Sequence, residues 1–177
     1  MDRKAEITRQ LIDREYVKSG AVSLNSGTLS NLYFDLRTPF RSDPHLKDLS
    51  IEEYIQLLNG IPDFQRIADM PDGSSPIVAS LADRLRPVTQ LTVRKKPKEH
   101  GLGGLIIGRF DPGDRVVVVD DVSSRGSSIM HAVRGLRKNG LVVNYAVVLV
   151  DRGEGAKENL EKEGVQLHHA FTKEDFK

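Results

Sequence analysis

An acidic pair at the end of an apolar run is the part of this chain best suited to chemistry. Asp120 and Asp121 directly follow four consecutive valines, residues 116–119. Such a run predicts a strand buried on both faces, as in a parallel sheet. Open α/β sheets bind ligands at the carboxyl ends of their strands. Carboxylates at that point can accept hydrogen bonds from the hydroxyls of a sugar.

The segment after the acidic pair is typical of phosphate binding. It is rich in serine, includes one glycine and leads into a helical pattern. Its residues are Val122, Ser123, Ser124, Arg125, Gly126, Ser127 and Ser128. Backbone N–H groups at the start of a helix, together with hydroxyls, favour a bound phosphate. This stretch can therefore hold a phosphorylated ribose from both sides, although an ordinary acidic turn after a strand remains the alternative.

A second segment combines positive charge with a glycine-flanked end. Residues 94–100 contain four cationic side chains and one histidine. We predict a mobile loop over residues 94–104, which can close over a highly charged leaving group, neutralise it and exclude water. The alternative is a solvated basic loop with no role in chemistry.

Composition limits the possible classes of protein. The chain has 177 residues and a formal net charge of +1, so we expect a single domain over residues 1–177 and no nucleic-acid or membrane partner. The absence of cysteine excludes disulfides, thiolate catalysis and cysteine-based zinc sites. The start of the chain is charged and lacks the apolar core of a signal peptide, so we expect a cytoplasmic protein.

Predicted strands alternate with predicted helices, which indicates parallel βαβ units. We predict helices over residues 7–16 (with Gly20 as the stop), 50–58 (with a capping box at Ser50), 76–85, 129–139 and 156–163. We predict strands over residues 32–36, 66–68, 88–93, 105–110, 115–119, 143–150 and 167–170.

The segment around the acidic pair resembles the phosphoribosyl-pyrophosphate (PRPP) motif of the type I phosphoribosyltransferases. Asp120 and Asp121 match the pair that binds the ribose 2′- and 3′-hydroxyls, and residues 124–128 lie on the loop that binds the 5′-phosphate. The resemblance implies an α/β fold with a parallel sheet flanked by helices. It also implies a small N-terminal hood, mostly from residues 1–40.

The basic segment resembles the catalytic loop of orotate phosphoribosyltransferases. On this match Arg94, Lys98 and His100 are catalytic, and Lys95 helps to bind PRPP. In that family part of the loop serves the site of the neighbouring subunit. The resemblance therefore implies a homodimer that shares loop 94–104 across its interface.

Two further segments resemble the same family at the base site. Residues 150–160 match a strand end whose arginine, here Arg152, pairs with the orotate carboxylate. Tyr33 and Phe34 match an aromatic pair that stacks on the base, and Ser124 and Asn25 fall at positions that contact orotate. The alternatives are a surface ion pair for the arginine and half-buried strand residues for the aromatic pair.

The resemblance implies transfer of the phosphoribosyl group from PRPP to orotate, which gives orotidine 5′-monophosphate and pyrophosphate in pyrimidine synthesis. It implies Mg²⁺ as cofactor, carried by PRPP with no metal ligand supplied directly by the protein. Two alternatives stay open. Asn25, which replaces a lysine of the family, suggests a phosphoribosyltransferase for another base. Asp69, Asp72 and Arg125 depart from the family pattern and suggest a non-catalytic regulator that binds PRPP or a nucleotide.

Overall fold

The computed structural model describes residues 2–23, 29–71, 73–98 and 104–177. Three residues singled out from the sequence, Asn25, Asp72 and His100, lie outside the described residues. The helices are α1 (Arg3–Asp13), α2 (Arg37–Ser42), α3 (Pro44–Asn59), α4 (Ser75–Arg84), α5 (Ser127–Lys138) and α6 (Ala156–Lys162). The strands are β1 (Val17–Ser23), β2 (Leu29–Phe34), β3 (Arg66–Asp69), β4 (Thr89–Lys98), β5 (Gly104–Ile107), β6 (Arg115–Ser123), β7 (Val142–Asp151) and β8 (Gln166–Thr172). A short 3₁₀ helix, Lys173–Phe176, follows β8.

The central sheet has six strands in the order β5-β4-β3-β6-β7-β8. Within this sheet, strands β4, β3, β6, β7 and β8 pair in parallel with their neighbours. Strand β5 pairs with β4 in the antiparallel direction. The predicted α/β class with a parallel sheet flanked by helices is therefore confirmed. Among the described residues, no helix combines the length and apolar character needed to cross a membrane.

The four valines of β6 show why this strand lies at the centre of the sheet. Val117 and Val119 belong to one core layer, in which they pack with residues of α1, α3 and α4. Val116 and Val118 belong to the opposite layer, beneath α5 and α6. Successive side chains of a strand point to opposite faces, so a strand covered on both sides must be apolar at every position.

Strands β1 and β2 form a separate antiparallel ribbon where the hood was expected. The chain's last turn secures this ribbon to the main body. Phe176 is buried, and its ring packs edge-on against Phe34 with the ring centres 5.1 Å apart. The same ring lies 5.7 Å from Phe171 of β8. A three-ring cluster therefore joins the ribbon to the edge of the sheet.

The end of α1 and the start of α3 differ clearly from the prediction. Helix α1 ends at Asp13, where Glu15 adopts a positive φ of 58°, and Gly20 lies inside β1 instead of ending the helix. Helix α3 begins at Pro44, because Asp43 caps it by accepting a hydrogen bond from the Leu46 N–H at 3.1 Å. Ser50 lies inside this helix, and its hydroxyl donates to the Leu46 carbonyl.

The predicted loop over residues 94–104 is wrong at both of its ends. Residues 94–98 continue β4, and Gly104 begins β5. The two strands pair at Thr92 opposite Ile107, at Val93 opposite Ile106 and at Lys98 opposite Gly104, with a register shift between Val93 and Lys98. Charge and glycine favoured a loop, but the pairing of Lys98 with Gly104 of β5 extends β4 beyond its predicted end at residue 93.

We predict that Phe176→Ala lowers the free energy of unfolding by about 3 kcal/mol, because it removes a buried ring and leaves a cavity beside Phe34 and Phe171. Urea unfolding measures the change. The matched control is Lys177→Ala, an exposed neighbour that we expect to cost less than about 0.5 kcal/mol. Equal stability of the Phe176→Ala and wild-type proteins would show that the last turn does not secure the ribbon.

Candidate active site

The carboxyl ends of β3, β6 and β7 meet at one edge of the sheet and form the candidate site. Ser123 at the end of β6 pairs with Asp151 at the end of β7. The Ser123 carbonyl also accepts a hydrogen bond of 2.9 Å from the Arg152 N–H. Strand pairing therefore places Arg152 beside the segment that follows the acidic pair.

The two carboxylates of the acidic pair serve opposite faces of β6, as the alternation along a strand requires. Asp120 lines a pocket of about 90 Å³ together with residues of the segment 122–129. Asp121 is buried on the other face, against the turn between β3 and α4. A ligand that engages both carboxylates must therefore reach across the end of the strand.

The turn between β3 and α4 approaches the Asp121 carboxylate closely at Gly73. A Cβ atom added at Gly73 would lie 2.8 Å from the Asp121 Oδ2. Real Cβ atoms essentially never approach a neighbour so closely. The exposed Arg37 at the start of α2 places its Nε 4.0 Å from the same oxygen. Asp121 is thus bordered by a bare backbone turn on one side and a cation on the other.

Burial raises the pKa of Asp120 well above its usual value, and the neighbouring charge of Asp121 raises it further. The Arg37 guanidinium acts in the opposite direction and favours the ionised form of Asp120. Without a ligand, the ionised form of Asp120 is therefore destabilised by burial and by repulsion from Asp121. A ligand that donates hydrogen bonds to these oxygens, as sugar hydroxyls do, favours the charged form.

The pocket beside Asp120 contains hydrogen-bond donors that an anion could use. Gly126 adopts the left-handed conformation at φ 75° and directly precedes α5, whose start has no side-chain cap. The N–H groups of a helix's first turn lack partners within the helix, and they attract negative charge. The Ser123 hydroxyl, which also lines the pocket, is buried and has no hydrogen-bond partner among the described residues. A phosphate oxygen bound here can satisfy such donors.

The remaining residues of the predicted phosphate loop, apart from Arg125, line the pocket beside Asp120. Ser124, Ser127 and Ser128 line the same pocket. The Arg125 side chain is exposed, and its carbonyl accepts a hydrogen bond of 3.1 Å from the Asn159 amide, which secures the loop to α6. Val122 lines the pocket as well.

Asp69 has a structural role at the base of the β3–α4 turn. It is fully buried, and its carboxylate accepts hydrogen bonds from the hydroxyls of Ser75 and Thr92. Ser75 is the first residue of α4, so this carboxylate joins the helix start to β4. The carboxylate oxygens of Asp69 are therefore engaged within the fold.

The cations of the basic segment extend along β4, two strands from β6. Lys95 and Lys98 are exposed, and the Arg94 guanidinium donates to the Gly104 carbonyl at 3.0 Å. The Arg94 carbonyl lies 3.0 Å from the His131 Nε2 of α5. Helix α5, which begins at the pocket beside Asp120, therefore also contacts the start of the basic segment.

Arg152 connects the end of β7 to the ribbon. Its side chain is buried, pairs with Glu154 at 2.9 Å and donates to the Leu32 carbonyl of β2 at 3.2 Å. Tyr33, the next residue of β2, is exposed, whereas the Phe34 ring packs in the core against Phe176. The structure thus brings Arg152 to the strand carrying the aromatic pair, but it directs Phe34 into the core.

Three residues that border the acidic pair had no function predicted from the sequence: Arg37, Tyr54 and Gly73. Tyr54 is fully buried in α3, and its hydroxyl donates to the Asp120 carbonyl at 2.7 Å. The Asp-Gly sequence at residues 72–73 signalled a turn, but nothing in the apolar spacing of α3 distinguished Tyr54 from a core residue.

The described residues contain no group of three or more acidic or histidine side chains that could hold a metal ion. The site still fits Mg²⁺ bound to a phosphorylated substrate. This ion commonly keeps its waters and takes one or two carboxylates together with substrate phosphates. Asp120 and Asp121 supply oxygens of that kind.

No sequence model of a known protein family matches the chain. It is 39% identical over 168 residues to the orotate phosphoribosyltransferase of Pyrococcus abyssi. This match covers 93% of this chain and 90% of that protein. Its structure is similar to that of the orotate phosphoribosyltransferase of Aeropyrum pernix, with a TM-score of 0.83, 35% identity, and coverage of 96% and 95%. It is also similar to Leishmania donovani UMP synthase, with a TM-score of 0.87 and 33% identity, over 98% of this chain and 37% of that one.

We predict that Asp120→Asn raises the free energy of unfolding at pH 8. The native pKa of Asp120 is raised above the unfolded value, so the ionised carboxylate destabilises the native state at high pH. The wild type regains this stability as the pH falls through the raised pKa towards the unfolded value of about 3.9. The gap between the two proteins should therefore narrow as the pH falls.

Urea unfolding from pH 8 to pH 4 measures the gap. The control is Asp83→Asn, which changes an exposed aspartate and should show no such narrowing. A gap that stays constant with pH, or an Asp120→Asn protein less stable than wild type at pH 8, would contradict the raised pKa.

Proposed function

The chain belongs to the orotate phosphoribosyltransferase family, and on that premise we propose that it transfers the phosphoribosyl group of PRPP to orotate, a step of pyrimidine synthesis. The observation that carries the proposal is the meeting of three groups at one sheet edge. These are the acidic pair after β6, the anion pocket at the start of α5 and Arg152 after β7. They suit ribose hydroxyls, a phosphate and a carboxylate, respectively.

The ribose 5-phosphate moiety fits the two faces of β6. Its phosphate receives the N–H groups and hydroxyls of residues 123–128, and its hydroxyls donate to Asp120 and Asp121. Holding both ends of the sugar orients the anomeric carbon for attack, which is the main way in which positioning lowers a barrier. The Arg37 cation offsets the repulsion between the carboxylates and the incoming polyanion.

The base end is assigned to Arg152 and Tyr33. A guanidinium receives a carboxylate in a bidentate arrangement, and its five N–H donors allow a second carboxylate beside Glu154. Tyr33 is exposed on the adjacent β2 strand, where its ring can stack on a planar base. Asn25 and Ser124 complete the proposed base contacts. We assign no base contact to Phe34, because its ring is buried against Phe176.

The reaction exchanges one bond at the anomeric carbon for another. The carbon–oxygen bond to pyrophosphate breaks and the pyrophosphate oxygen retains the electron pair, while a carbon–nitrogen bond to orotate forms and the orotate nitrogen loses its proton to solvent. Negative charge therefore grows on pyrophosphate, where Arg94, Lys95, Lys98 and His100 would stabilise it. Mg²⁺ bound with PRPP and held beside the acidic pair would neutralise part of the same charge. We further propose a homodimer in which the basic segment serves the partner's site.

Orotate-dependent release of pyrophosphate from PRPP with Mg²⁺ tests the function. A panel of uracil, adenine and hypoxanthine should give no comparable release. Release with another base and none with orotate would support a different phosphoribosyltransferase. PRPP binding with no release for any base would support a regulator.

We predict that Arg152→Lys raises the KM for orotate about tenfold or more while the KM for PRPP stays nearly unchanged. Lysine keeps the charge but loses the planar fork, and a charge-assisted contact of this kind contributes about 1.5–3 kcal/mol. Steady-state kinetics with each substrate varied in turn provide the measurement. The control is Arg86→Lys, an exposed arginine after α4, at the opposite end of the sheet. Equal increases for both substrates would argue against a role at the base.

We predict that Lys98→Ala and Asp121→Asn homodimers are both nearly inactive and that mixing them restores activity. In a heterodimer with a shared site, one site carries both changes and the other carries neither. Random exchange of equal amounts should therefore recover about a quarter of wild-type activity. Mass spectrometry confirms the exchange. If confirmed heterodimers stay inactive, Lys98 does not act across the interface.

A further inference from the structure

A single peptide unit links the two carboxylates of the acidic pair, because the Asp120 carbonyl and the Asp121 N–H belong to the same peptide. Rotation of this unit turns the two side chains relative to each other. Its N–H donates to the Asp120 Oδ1 at 3.0 Å. Its carbonyl accepts the Tyr54 hydroxyl at 2.7 Å. Both ends of the peptide are therefore held by side chains.

Tyr54 is held in turn by the core. Its side chain is fully buried in α3, in the core layer that contains Val117 and Val119 of β6. Burial raises the pKa of Tyr54 well above its ordinary value, and the charges of Asp121 and Asp120 raise it further. The hydroxyl therefore stays protonated and remains a donor, with the acidic pair directly beside it.

We propose that Tyr54 is a positioning residue for PRPP, whose hydroxyl holds the peptide between Asp120 and Asp121 so that both carboxylates meet the ribose hydroxyls. Tyr54 acts through this peptide, because its ring lies in the core beneath the strand end. The inference rests on the proposed function, since it assigns the acidic pair to ribose. It adds a specific consequence, which is that Tyr54 affects binding of the sugar and not binding of pyrophosphate or orotate.

The experiment compares wild type with Tyr54→Phe, which removes the hydroxyl and keeps the ring. Calorimetry measures the affinities for PRPP and for inorganic pyrophosphate, both with Mg²⁺. We expect PRPP affinity to fall about three- to tenfold, the usual effect of losing one hydrogen bond. Pyrophosphate affinity and the KM for orotate should stay unchanged. Tyr145→Phe is the matched control, because Tyr145 lies in β7 opposite Val117, three residues before the acidic pair.

A second comparison places Tyr54→Phe in the Asp121→Asn background. If Tyr54 acts through the acidic pair, the double variant should bind PRPP as the Asp121→Asn single variant does. Independent, additive losses would overturn the inference. So would an equal loss of affinity for PRPP and pyrophosphate, or a Tyr54→Phe protein that no longer folds, because each indicates a general structural role.

The outcomes separate the inference from the proposed function. A wild-type protein that fails to bind PRPP removes the proposed function, and the inference falls with it. A wild-type protein that binds PRPP and a Tyr54→Phe protein that binds it equally well would overturn the inference alone.

Discussion

The parallel register of β3, β6 and β7 is the constraint on which the whole site depends. Ala68 of β3 pairs with Val118, and Ser123 of β6 pairs with Asp151, so the three strands end at the same edge of the sheet. Chain segments that are distant in sequence then meet without any further device. The valines of β6 pack against an apolar layer on each face of the sheet, and this burial keeps the strand at the centre of the sheet.

The same register creates an electrostatic conflict that the fold tolerates. Two adjacent carboxylates at the end of a buried strand destabilise the ligand-free protein, as the raised pKa of Asp120 shows. The surroundings restrain this pair without neutralising it. Gly73 gives Asp121 its space, Arg37 stands at its open side, and Tyr54 holds the peptide behind it. Destabilised carboxylates of this kind are typical of sites where a ligand supplies hydrogen bonds to them.

The sequence predicted the central strand of the site better than the elements and side chains that surround it. The valine run was sufficient to predict β6 and its burial within a parallel sheet, because these follow from the local pattern of apolar residues. The start of α3 was misplaced, because a capping-box pattern at Ser50 competed with the cap at Asp43. The extension of β4 was missed, because only pairing with β5 makes a charged segment a strand. Tyr54 was missed for a similar reason, since its partner lies 66 residues away.

Helix α5 sets the distance between two parts of the candidate site. It begins at the pocket beside Asp120, and His131 on its second turn contacts the carbonyl of Arg94 at the start of the basic segment. Four residues of helix separate Ser127 from His131, a rise of about 6 Å. Because a helix is stiff along its axis, the distance between the pocket beside Asp120 and the start of the basic segment does not depend on a loop. Inserting or deleting one residue in this turn would rotate His131 by about 100° and disconnect the two ends.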